Sequence, residues 1–162
     1  MREGVGAVAP EQDVAEPALA LPGTPGSVSQ ARRHVTGVLA AWGLDALADT
    51  AALLVSELVT NALLHTGGGT QVRVSCEPGA VRVTVLDSSP RPPVRRRHGL
   101  SAGTGRGLGL VEALAADWGT SGPVDGWAKG VWFRLPTDPS QLRDAGEGAL
   151  YGDDWLAVVA DL

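Results

Sequence analysis

Three polar residues stand out by their spacing. Glu57, Asn61 and His65 recur at four-residue intervals inside an apolar stretch, which on a helix places all three on one strip beside the apolar face. An amide oxygen such as that of Asn61 is a hard ligand suited to Mg²⁺, and a glutamate one turn earlier is placed to handle a water or a hydroxyl beside such an ion. A solvated polar stripe is the alternative for each of the three taken singly. Further on, Gly103-Thr104-Gly105-Arg106-Gly107-Leu108-Gly109-Leu110 precedes a helical pattern. Alternating glycines let backbone N–H groups approach phosphate oxygens, with the positive end of the helix behind them; a packing hinge is the alternative. The segment is neither G-x-G-x-x-G nor a P-loop, since the only lysine, Lys129, lies in Trp127-Ala128-Lys129-Gly130. Asp87 closes an apolar run ahead of Ser88-Ser89-Pro90. There it either accepts from an exocyclic amine such as that of adenine or caps a turn.

The elements that must position these residues follow from the pattern. Val28, Ala31, Val35, Val38, Leu39 and Trp42 recur at helical spacing, with Ser27 in the place of an N-cap and Gly43 at the end. A second helix is expected from about Asp45 to His65, stopped by Gly67-Gly68-Gly69. Thr70–Cys76 and Ala80–Leu86 alternate around Pro78-Gly79, the pattern of a β-hairpin. The stretch 88–107 loses apolar periodicity and carries Arg91, Arg95, Arg96 and Arg97, which suit a phosphate, a partner's carboxylates or simply solvent. A short helix from about Gly107 to Ala116 and strands near Trp118–Ser121 and Val131–Leu135 complete the order. That order predicts an α+β chain, a two-layer α/β sandwich of a mixed sheet with helices on one face. Residues 1–26, rich in proline, are expected to be a flexible arm in which only Ala18–Leu21 adds an edge strand; 27–136 form the domain; 137–162 form an acidic tail with a possible short helix.

Composition narrows the partners. With 13 Lys+Arg against 18 Asp+Glu, the net charge of −5 disfavours tracking nucleic-acid phosphates. One cysteine, Cys76, excludes an internal disulfide and suits a reducing compartment, so a cytoplasmic location is expected. No apolar run approaching 20 residues and no leader peptide are seen, and no membrane association is expected. His98 lacks a companion at metal-ligand spacing, His34 sits between apolar neighbours of the first helix and is not expected to be a phospho-acceptor, and Trp118, Trp127, Trp132 and Cys76 suit core or sheet-face positions.

Taken together, Glu57-Leu58-Val59-Thr60-Asn61-Ala62-Leu63-Leu64-His65, Asp87 and Gly103–Leu110 resemble, in order, the N-box, G1 aspartate and G2 box of the GHKL (histidine kinase-like) ATPase superfamily, with its Bergerat-type ATP-binding fold. The length, Ala31-Arg32-Arg33-His34-Val35 and Val131-Trp132-Phe133-Arg134-Leu135 are similar to its stand-alone anti-sigma-factor serine/threonine kinases. The resemblance implies ATP and Mg²⁺ as cofactors, Glu57 as general base, Asn61 as the Mg²⁺ ligand, Asp87 as acceptor for the adenine amino group, and Gly103, Thr104, Gly105, Arg106, Gly107, Leu108 and Gly109 as the phosphate-facing segment. It further implies a homodimer that phosphorylates an anti-sigma-factor antagonist and sequesters a sigma factor. A nucleotide-binding interaction module without turnover is the alternative. Where the G1 pattern usually has glycine two residues after the aspartate, this chain has Ser89.

Overall fold

The computed structural model describes residues 16–66, 68–91 and 107–143. Among these residues, three α-helices, α1 (Gly26–Ala41), α2 (Ala48–Thr66) and α3 (Gly107–Leu114), combine with five strands, β1 (Ala18–Leu21), β2 (Thr70–Glu77), β3 (Ala80–Asp87), β4 (Asp117–Ser121) and β5 (Lys129–Pro136). The sheet runs β1-β2-β3-β5-β4.

The two-layer α+β arrangement agrees with the apolar periodicities. Val28, Ala31, Val35 and Leu39 of α1, and Leu54, Val55, Leu58, Val59 and Ala62 of α2, recur every three or four residues. They bury against alternate residues of the strands: Val72, Val74, Val81, Val83, Val85, Val131, Phe133 and Leu135. At roughly 1.5–3 kcal/mol for each large side chain removed from water, this shared layer drives the fold. The second face of the sheet is polar. There the Glu77 carboxylate lies 2.6 Å from Nε of both Arg82 and Arg134, linking β2, β3 and β5, and the Arg82 guanidinium lies 4.2 Å from the Trp132 ring centroid.

The sheet and the start of α1 each correct the sequence reading. The sheet was expected to be mixed, but every pair of neighbouring strands is antiparallel. After the α3 crossover β4 does run in the direction of β3, yet β5 folds back between them and separates the would-be parallel neighbours. Ser27 was expected to cap α1 from outside, but the N-cap is Pro25, whose φ of −56° is already helical. Ser27 is buried within the first turn and its Oγ donates back to the carbonyl of Pro22.

Asp45–Leu47 forms a 3₁₀ turn leading into α2. Together they make a 22-residue segment that contains an 18-residue window of mean hydropathy 1.4, long and apolar enough to cross a membrane by length and composition. The expectation of no such run is therefore corrected; here the segment is the central helix of the core, packed against α1, α3 and the sheet.

Gly79 takes φ +71° in the β2–β3 turn, the left-handed conformation that closes this hairpin. Gly130 answers a space constraint. A Cβ there would lie 2.7 Å from Ser121 Oγ, 2.9 Å from Leu86 Cδ2 and 3.1 Å from Thr84 Cγ2. Gly130→Val should therefore destabilise the domain by about 1–3 kcal/mol through overpacking, read as a lower denaturation midpoint with an unchanged m-value; an unchanged midpoint would show that β5 shifts freely.

Candidate functional site

β3 and β5 pair so that Asp87, the last residue of one, stands opposite Lys129, the first of the other. Both are charged and both are buried, at 2% and 7% exposure. Lys129 Nζ donates to Asp87 Oδ1 at 2.9 Å and to the Ser89 carbonyl at 3.0 Å, while the Ser89 amide donates to the same Oδ1 at 2.8 Å. The Ala128 amide closes the unit by donating to the Asp87 carbonyl at 3.0 Å. Two opposite charges at this separation in a water-poor site offset part of each other's desolvation, and the Ser89 amide and carbonyl add a hydrogen bond to each. Ser89, in the place where glycine was the pattern, has no positive φ; its backbone supplies both a donor and an acceptor to the unit.

Above this pair lies a pocket lined by Leu58, Asn61, Ala62 and His65 from α2, Val85 and Asp87 from β3, and Lys129 and Val131 from β5. Its walls are aliphatic and its polar groups sit at one end and along the helix rim, the composition expected of a site for a flat ring with a polar edge. Asn61, His65 and Asp87, singled out from the sequence, are thus brought together. Lys129 was missed as a site residue.

Glu57 does not line that pocket. It sits one turn before Asn61 on α2, half-buried, and desolvation pushes its carboxyl up to about 7 from an ordinary value of 4.5. A carboxyl held near neutrality by burial is matched to proton transfer at physiological pH.

Of the glycine segment, Gly103, Thr104, Gly105 and Arg106 lie outside the described residues, as do Arg95, Arg96 and Arg97. Gly107 begins α3 as expected. Leu108 is a buried core residue that anchors that helix. A Cβ at Gly109 would meet nothing within 4 Å, so protein packing does not demand glycine there.

A family model described as the histidine kinase-like ATPase domain matches residues 21–124, more than half of the chain. The chain belongs to that family. No curated protein matches it. Membership in the histidine kinase-like ATPases carries ATP binding as the general function, and the matched stretch contains Glu57, Asn61 and Asp87 together with the whole glycine segment. It stops short of β5, so Lys129 lies beyond it.

The raised Glu57 carboxyl has a consequence for stability. Between about 4.5 and 7 the folded state holds a proton that the unfolded chain has released, so stability falls as pH rises through this window and then levels off. Glu57→Gln should accordingly raise stability by about 1–3 kcal/mol at pH 8 and by much less near pH 4.5. Denaturant titrations at the two pH values check this; an equal effect at both would remove the buried-carboxylate cost.

Proposed function

We propose that this histidine kinase-like domain is a regulatory protein serine/threonine kinase of the anti-sigma type. It uses ATP and Mg²⁺ to phosphorylate a Ser or Thr hydroxyl of an anti-sigma-factor antagonist and, in its other state, sequesters a sigma factor. The observation that carries the reading is Glu57: a carboxyl poised near neutrality one helical turn from Asn61, on the helix that also walls the pocket. The ordered motifs and the resemblance of the chain to stand-alone kinases of this kind support the partners, the cytoplasmic setting and a homodimeric state.

The residues present suit the nucleotide and its ion. Aliphatic walls with a carboxylate at the end suit an adenine ring and its amine. For the ion, Asn61 offers one hard oxygen, and the described residues hold no group of three or more His, Cys, Asp or Glu side chains able to bind a metal. Mg²⁺ would therefore be held by Asn61 together with phosphate oxygens and water. When bound, that ion offsets phosphate charge and orients the γ-phosphoryl group.

In the transfer step Glu57 accepts the proton of the substrate hydroxyl as its oxygen bonds to the γ-phosphorus. The bond from that phosphorus to the bridging oxygen breaks, ADP leaves with its electron pair, and the phosphorylated hydroxyl remains on the partner. Asn61 orients the charged end of the nucleotide, and Asp87 holds the base at the other.

Binding and chemistry should then separate by mutation. Asn61→Ala should weaken ATP·Mg²⁺ binding markedly in calorimetry, and Mg²⁺ without nucleotide should give no measurable heat. Glu57→Ala should keep ATP affinity within a few fold while slowing γ-phosphate transfer by roughly 10²–10⁴. For the wild type, the transfer rate should climb about tenfold per pH unit below pH 7 and level off above it, because Glu57 is a base only when ionised. A wild-type chain that binds ATP yet transfers nothing to any antagonist would leave a nucleotide-ordered interaction module instead.

A further inference from the structure

Lys129 has chemistry to spare. Its ammonium carries three donors, of which two go to Asp87 Oδ1 and the Ser89 carbonyl. The side chain is buried, yet it lines the same pocket as Asn61 and Asp87. Among the described residues, the hydrogen bonds to the Asp87 carboxylate come from Lys129 and the Ser89 amide, and both fall on Oδ1. Oδ2 is then the oxygen left to accept from a ligand. The floor of the pocket accordingly presents an acceptor and a charged donor side by side, beneath the aliphatic walls of Leu58, Ala62, Val85 and Val131.

We propose that Lys129 is a specificity-determining residue that reads the nucleobase together with Asp87, donating to the ring nitrogen N1 of adenine while Asp87 accepts from the exocyclic N6 amine. The inference rests on the nucleotide reading of the pocket and deepens it. Adenine shows a donor and an acceptor next to each other on this edge; guanine shows O6, an acceptor, and N1–H, a donor, in the same two places. In one ring pose the Asp87–Lys129 pair matches the first and opposes the second at both positions. A water-excluded site built from fixed donors and acceptors discriminates strongly, because the wrong partner leaves buried polar groups unpaired. Lys129 also fixes the base reader itself: its bond to Oδ1 orients the Asp87 carboxylate that would otherwise be a lone buried charge.

Two other roles for Lys129 make different predictions. A purely structural ion pair would support the pocket without contact to the base, and a latch would hold Asp87 until displaced by the nucleotide. Calorimetric titration of the full chain with ATP, GTP and 1-deaza-ATP, in which a C–H replaces N1, separates them in the presence of Mg²⁺. The wild type should prefer ATP over 1-deaza-ATP by roughly 10- to 100-fold, the range for a hydrogen bond to a charged group, and should reject GTP at least as strongly. In Lys129→Met the ATP to 1-deaza-ATP ratio should fall toward one, and in Lys129→Gln, which keeps an N–H donor, part of the preference should return. The wild-type ratio stands on its own if either variant fails to fold. A wild-type ratio within twofold, or a Lys129→Met variant that weakens both nucleotides equally and keeps their ratio, would overturn base reading; tighter ATP binding by Lys129→Met would overturn it in favour of a latch. A wild-type chain that binds none of the three would instead sink the nucleotide reading on which the inference stands.

Discussion

The antiparallel register of β3 against β5 is the constraint from which the site follows. It puts Asp87 and Lys129 at adjoining strand ends, where the Ser89 amide and carbonyl add hydrogen bonds to the buried charge pair and the Ala128 amide ties the Asp87 main chain. A slip of one residue would turn Asp87 to the opposite face from the one it now serves and strand a charge in the interior. The tight space at Gly130 helps to hold that register, since β5 lies close against Ser121, Leu86 and Thr84 on its neighbours.

α2 completes the site by doing two jobs that pull against each other. Its Leu54, Val55, Leu58, Val59 and Ala62 face must be apolar enough to build the core, whereas Glu57, Asn61 and His65 lie along its rim. Partial burial keeps these polar groups close to the pocket, but it raises the free energy of an ionised Glu57. The same desolvation that costs stability near neutral pH brings the titration of the carboxyl up to about 7. A more exposed Glu57 would stabilise the fold at pH 8 and be a poorer proton acceptor, so position on the helix sets both quantities at once.

Local patterns made much of this legible. The three helices, the Pro78-Gly79 hairpin and the last two strands follow from periods of 3.6 and 2 that the core obeys, and Asn61 and Asp87 were identifiable because a helix strip and a strand end are local features. Strand order was not local: nothing in β4 alone says that β5 will insert between it and β3, which is why a mixed sheet was expected. Ser27 misled because Ser is as useful for back-bonding to Pro22 from inside the first turn as for capping from outside it. Lys129 was invisible for the same reason as the strand order. Its partner lies 42 residues earlier in the chain, and only the β3–β5 register joins them. The available signal was modest: the sole lysine of an acidic chain, placed at the start of an apolar strand where solvation is poor.

These contacts divide the labour between a rigid floor and a packed wall. Asp87, Ser89 and Lys129 are tied by backbone hydrogen bonds and strand pairing, so their relative positions tolerate little change. Glu57 and Asn61 are fixed relative to one another by a single helical turn, but relative to that floor only through the apolar contacts of α2 with the sheet, in the layer formed by Leu58, Ala62, Val85 and Val131. Substitutions in that layer change the separation between the Asp87–Lys129 floor and the Glu57–Asn61 rim without replacing any of those four residues. Core packing under α2 therefore sets how accurately Glu57 and Asn61 are held over the Asp87–Lys129 floor, and a shift of about 1 Å matters to any chemistry carried out across the two.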